Sequence, residues 1–390
     1  MKSNYKQLGR YIRPIDVRNK GLVTTKLLGI SVEKCFIPSI ANIIGTDLEK
    51  YKIVRKGQFA YIPDTSRRGD KIAVALLKEE ECIISSVYTA FEIIDTNELD
   101  PEYLMLWFSR PEFDRYARYH SHGSVREIFD WDEMCRVELP VPCIDIQKTL
   151  VKKCQAIDNR IAFLNKFDCL LKSAGVSVVA AYTGGKAVLL DSDSNDRPSG
   201  TITIKEFCVD MASGSTPLRS NGDYWNNGEI PWLKSGEVDN GICDYASENI
   251  TQLALQQTSV HLLPEDSVLI AMYGGGTVGE VGYLSTASTT NQAVCGMICK
   301  TKDDAAYLFF ALLQRQNIIK RQAHGGAQEN LSKEYIENME LVFPDKQNIE
   351  HLGLSRLIHQ MKLNSKERHI LIDLKKHIVS QLQINNQQNG

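Results

Sequence analysis

Apolar residues recur along two stretches of the chain in alternating steps of four and three. The first runs Leu150, Cys154, Ile157, Ile161, Leu164, then the polar Asp168, then Leu171. The second runs Leu354, Leu357, Met361, Asn364, Arg368, Leu371, Lys375, Ile378, Leu382. Such spacing keeps one stripe of a helix apolar, with a polar break near its middle. Two helices of ~35 residues, each about 50 Å long at 1.5 Å per residue, are predicted at 146–182 and 346–385. Placed at equivalent points, they suit an antiparallel pair holding two globular domains apart, with Asp168 and Arg368 as candidate partners near the middle.

Ahead of each helix the same order of elements occurs twice. Regions 1–95 and 200–300 are rich in strand formers. An amphipathic helix follows, at about 101–118 and 303–322, opened in the first copy by Asp100-Pro101-Glu102. Then come a His-Gly loop, a short helix and a short strand. The copies lie 202 residues apart: His122-Gly123-Ser124-Val125-Arg126-Glu127 against His324-Gly325-Gly326-Ala327-Gln328-Glu329. The offset carries on through Phe129 and Leu331, Met134 and Ile336, Leu139 and Leu341, and Pro142 and Pro344. Between the copies, residues 183–200 are rich in turn formers and read as an exposed linker. The expected fold is α+β: recognition domains at 1–145 and 201–345, separated by the two long helices, with a disordered tail at 386–390.

Composition narrows the class. Hydrophobic residues are 43% and charged residues 24%, the range of soluble globular proteins. No window nears the ~18 apolar residues of a membrane span. Met1–Arg10 lacks the apolar segment of a signal peptide. A cytoplasmic protein without membrane contact is expected. None of the ten cysteines forms C-x-x-C, so they read as reduced, small core hydrophobes. The net charge of −3 gives no basic footprint.

Gly274-x-Gly276-x-x-Gly279 matches a dinucleotide fingerprint, but the residues after it, Glu280–Leu284, read as a strand where the fingerprint needs a helix. A glycine-rich hairpin that lets backbone approach DNA fits better, and Gly275 and Thr277 are its candidate contacts. Arg67, Arg68 and Lys71 form a basic loop that suits guanine or phosphate, or simply a solvated turn. His122, Ser124, Arg126, His324 and Gln328 sit in the two His-Gly loops with no partner for catalysis evident nearby in the sequence. Ser213, Ser215, Thr216, Arg219, Tyr224, Trp225, Lys234 and Ser235 make a polar-aromatic stretch; the tryptophans suit core positions, and Arg219 and Lys234 suit DNA. The sequence holds no G-x-S-x-G, H-E-x-x-H or P-loop pattern. No catalytic residue, cofactor or metal is expected.

This layout resembles the specificity subunits of type I restriction-modification systems. The likeness rests on Met211-Ala212-Ser213-Gly214-Ser215-Thr216-Pro217, then Asp223-Tyr224-Trp225 and Ile230-Pro231-Trp232-Leu233-Lys234-Ser235-Gly236-Glu237, and on the repeated loop, strand and helix. The first copy, opening Tyr11-Ile12-Arg13-Pro14-Ile15, lacks the Gly-Ser-Thr-Pro turn. The resemblance implies a non-catalytic subunit that reads a split site in double-stranded DNA. It also implies docking of two methyltransferase subunits, which carry the S-adenosylmethionine chemistry, and of restriction (motor) subunits. The rival reading is a helical assembly protein without sequence readout.

Overall fold

Phe59, Tyr61, Val74, Leu76, Phe91 and Ile93 face one way from their strands; Ala60, Ala73, Ala75, Leu77 and Ala90 face the other. Period-two alternation of large and small apolar residues therefore builds a sheet buried on both faces. The computed structural model describes residues 5–39, 45–65, 71–122, 127–185, 187–189, 200–274, 276–324, 330–342 and 349–383. The chain divides into two compact units, Met1–Arg160 with Leu371–Gly390, and Ile161–Ile370.

In the first unit the sheet order is Ile12–Ile15, Thr89–Ile93, Phe59–Tyr61, Val74–Leu76, antiparallel throughout. Phe59 stacks on Phe91 with centroids 4.9 Å apart, and Phe108 meets both rings edge-on. The expected helix over 101–118 is two helices, Pro101–Phe108 and Pro111–Tyr119. Pro111 explains the break: it lacks an N–H and drives Arg110 out of the helical region, to ψ 139°. Asp100 caps the first helix by accepting from Tyr103 N–H at 3.0 Å.

The second unit has the order Asp210–Ser213, Val294–Ile298, Val268–Ala271, Val281–Leu284 with the same antiparallel pairings, and adds Gly241–Cys243 in parallel at the edge. Its helix Lys302–His324 is unbroken. Six consecutive residues, Tyr307 to Leu312, are fully buried in it, as in a helix packed on all sides.

Both units close their repeat alike. Tyr5–Gln7 pairs antiparallel with Glu138–Pro140, and Thr201–Thr203 with Glu340–Val342. The short helices Trp131–Arg136 and Lys333–Asn338 are capped by Asp130 and Ser332. Tyr103 Oη donates to the carbonyl of Pro140 at 2.9 Å, and Tyr307 Oη donates to that of Val342.

The first long helix spans Ile144–Tyr182, 39 residues. The second spans Leu354–Ser380, 27 residues, beginning with its apolar pattern at Leu354 and not at the expected 346, after Gly353 turns left-handed at φ 66°. In the first unit, Val151 and Cys154 share a core cluster with Val379 and Leu382, and Asp158 accepts from Lys375 Nζ at 2.6 Å. In the second, Leu171 and Val179 cluster with Leu354, Ile358 and Met361. There Asp168 accepts from Asn364 Nδ2 at 2.6 Å and pairs with Arg368, so the expected polar contact forms.

Two expectations need correction. Part of the 183–200 linker is structured: Val188–Leu189 pairs with Glu340–Leu341, and Gln314 Nε2 donates to Gly185 O at 2.6 Å. Five cysteines are buried, but Cys35, Cys143 and Cys169 are exposed, so the core-hydrophobe reading fails for them. The tail at 386–390 lies outside the described residues. Among the described residues no helix is long and apolar enough to cross a membrane.

Candidate nucleic-acid interface

The second unit gathers the polar-aromatic stretch into one surface. Gly214 makes the turn that starts it: a Cβ there would lie 2.2 Å from Asn291 O and 2.3 Å from Thr290 O, so only glycine fits. Past this turn, Ser215 O accepts from Trp232 Nε1 at 2.9 Å. Trp232 is buried, and Trp225 meets it edge-on at 5.1 Å. The Arg219 guanidinium lies over both rings, 3.9 Å from the Trp225 centroid and 4.6 Å from that of Trp232.

Strand pairing adds the acid. Glu248 is the cross-strand neighbour of Trp232. It accepts from Arg219 Nη1 and, at 2.9 Å, from Lys234 Nζ. These two cations hold its carboxyl below the usual carboxylate range. Arg219 is thus positioned by rings and carboxylate together, with half of its side chain exposed. The three charges, two cations and one carboxylate, sum to one positive charge.

Thr216 Oγ1 donates to Gln292 Oε1, and Tyr224 Oη to Gln257 Oε1 at 3.3 Å. Ser215 Oγ accepts from Ser259 Oγ at 3.0 Å. The glycine-rich loop is a hairpin between strands Val268–Ala271 and Val281–Leu284, as its sequence predicts, and not a strand-to-helix nucleotide loop. Gly274 has φ 125°, and a Cβ on it would sit 3.0 Å from both Ser235 Oγ and Thr277 Oγ1. Ser235 and Thr277 therefore flank one stretch of approachable backbone. Thr277 Oγ1 itself donates to Gly274 O at 3.3 Å.

The first unit gathers less. Lys71 is exposed and ion-paired with Glu33 at 2.9 Å, which raises its pKa. His122 is exposed and exchanges backbone hydrogen bonds with Ile128, at 3.1 and 3.0 Å. Arg67, Arg68, Ser124, Arg126, Gly275 and Gln328 lie outside the described residues. His324 ends its helix, and its side chain is outside the description.

Sequence reasoning missed Glu248, Gln292, Gln257 and Ser259. Only the register Trp232 to Glu248 exposes the first, and no spacing rule reaches across two strands joined by a loop.

Residues 198–372 match the family model described as the type I restriction modification DNA specificity domain. The chain is 24% identical over 149 residues to the type I restriction enzyme MjaIX specificity subunit of Methanocaldococcus jannaschii, covering 37% of this chain and 34% of that protein. It is 23% identical over 136 residues to the type I restriction enzyme EcoR124I/EcoR124II specificity subunit of Escherichia coli, covering 34% of each. The match thus spans about a third of the length of these curated relatives. Among solved structures, the S subunit of a type I restriction-modification system from M. genitalium superposes with a TM-score of 0.53 at 14% identity, over 97% of this chain and 95% of that one. That likeness is one of fold, mixed helix and strand. The resemblance read from the sequence is borne out by the match of residues 198–372 to the specificity-domain model.

Proposed function

We propose that this chain is the DNA-reading subunit of a type I restriction-modification assembly, and that it catalyses nothing itself. Each unit reads one half of a split site, and the second unit does so with the surface around Arg219, Lys234 and the Gly274 hairpin. The observation that carries the reading is the specificity-domain match laid over a surface of cations, hydroxyls and open backbone. Hydroxyls and arginine are the donors that base edges and phosphates take up in a major groove. The sheet order repeated in both units supports a second, diverged reader in the first half.

The long helices run antiparallel and set the distance between the half-sites. Contacts within each unit support this: Asp168 meets Arg368, and the earlier Asp158 meets the later Lys375. Methyltransferase subunits dock on these helices and bring the S-adenosylmethionine chemistry; restriction subunits join the same assembly. Deleting two turns from Leu150–Leu171 shortens the unread spacer.

The test is a methylation map. The chain is co-expressed with a type I methyltransferase subunit encoded beside it, in a host without other adenine methylation. One split motif that disappears without this chain is the expected result. A stable complex that methylates no defined sequence favours the rival reading, an assembly scaffold.

A further inference from the structure

The first unit places two imidazoles and a carboxylate together where its helix Pro111–Tyr119 ends. His120 follows the helix, His122 lies two residues on, and Glu133 sits in the first turn of helix Trp131–Arg136. One ligand atom from each lies within 4.8 Å of the others. His120 Nδ1 and Glu133 Oε2 are 3.5 Å apart. Two donors of a tetrahedral zinc ion, at bonds of about 2.0–2.1 Å, lie ~3.3–3.4 Å from each other. That pair already has the right separation, and His122, on an exposed backbone bridge, has a ring nitrogen within 4.8 Å of both.

The surroundings orient these donors. The His120 ring packs on Tyr116, with centroids 4.3 Å apart. Arg136 holds Glu133 Oε1, which leaves Oε2 turned to His120. Asp130 fixes the backbone of Glu133 by accepting its N–H at 2.8 Å. A carboxylate held by a second group is the usual support of a metal ligand.

The fold does not require this set. At the repeat offset, Gln322 stands for His120, His324 for His122 and Tyr335 for Glu133. The second unit builds the same capped helix, with Ser332 accepting from Tyr335 N–H, and keeps only one of the three donors.

We propose that His120, His122 and Glu133 form a divalent metal site, suited by its two nitrogens and one oxygen to zinc, with water completing the shell. The site belongs to the first unit alone. It ties the chain on one side of residues 123–126 to the helix on the other.

The full-length chain, stripped with a chelator, is titrated with zinc by calorimetry and with cobalt(II) by absorption. One equivalent is expected to bind with micromolar affinity, and zinc should raise the melting temperature. His120→Gln, His122→Gln and Glu133→Gln should each weaken that site at least tenfold, and His369→Gln should leave it unchanged. The exposed thiols of Cys35, Cys143 and Cys169 compete for zinc. Cobalt bound to them shows sulfur charge-transfer absorption, whereas the proposed site shows only ligand-field bands. The proposal fails if no metal binds, if affinity survives all three substitutions, or if the sulfur signal accounts for the bound ion. Circular dichroism of each variant separates lost ligation from lost folding.

Discussion

Each unit lays an arginine on tryptophan, and the two arginines differ in how far they are buried. Arg110 lies 4.2 Å from the Trp107 ring centroid with its side chain 3% exposed, beside Glu112 at 3.3 Å. Burial lowers its pKa against the pull of Glu112. Arg219 sits over Trp225 and Trp232 with its side chain 50% exposed. The contact is the same and the burial is opposite. A guanidinium in the interior fastens helix to core; one at the surface keeps donors for a ligand. Copies of one fold thus share their apolar skeleton and differ in where their cations end up.

The comparison can be broken most severely at Gly214. Gly214→Val drives a side chain into two carbonyl oxygens and should cost about 4 kcal/mol or more. Melting should show the second unit lost first; a melt like that of the parent would mean the turn is not what holds the tryptophans. Arg110→Ala comes next. It leaves a void beside Trp107, while Glu112 keeps Arg115 at 3.2 Å, and should cost about 2–4 kcal/mol while DNA affinity per folded molecule stays the same. Arg219→Ala should do the reverse: stability within about 1 kcal/mol, DNA affinity down roughly tenfold. Equal effects of the two on DNA binding would end the distinction.

A smaller difference is expected along the long helices. Asp168 is 12% exposed and holds both Arg368 and Asn364, whereas Asp158 is 51% exposed against Lys375. Asp168→Ala should cost about 1–3 kcal/mol and Asp158→Ala less than about 1, read from chemical denaturation.

The smallest effect is in acid. Arg219 and Lys234 hold the Glu248 pKa below its ordinary 4.5. Its contribution is therefore complete above the unfolded value and is lost as pH falls through the folded one. Glu248→Gln imitates that loss at neutral pH. It should barely alter stability and should steepen the salt dependence of DNA binding, because two cations are released to phosphates. An unchanged slope would show that Glu248 does not compete with DNA.

Much of the skeleton was legible in the sequence. The repeat offset and the period of the apolar positions located both long helices and the short helices that precede them, because burial constrains each of those positions. The break at Pro111 was equally visible in principle, since proline cannot continue a helix, yet the surrounding apolar spacing masked it. Val188–Leu189 was hidden in a short apolar run between the turn formers at Gly184-Gly185 and from Asp191 on; two paired residues are too few to show alternation. The interface was legible as residue types and not as an arrangement. Arg219, Lys234 and Ser235 stand out as donors, but Glu248 becomes their partner only through strand register, which one sequence leaves open.

The core of the first unit includes Val379 and Leu382 beside Val151 and Cys154, whereas the second unit is drawn from one uninterrupted stretch. On the ribosome the order of completion is therefore inverted. The half made first must wait for the last of its pieces, about 10–40 s at 5–20 residues per second, while the half made later can finish ahead of it. During that interval Val151 and Cys154 lack Val379 and Leu382, the members of their cluster made last, which makes that stretch of helix the place where a chaperone, or a neighbouring nascent copy, would be met first.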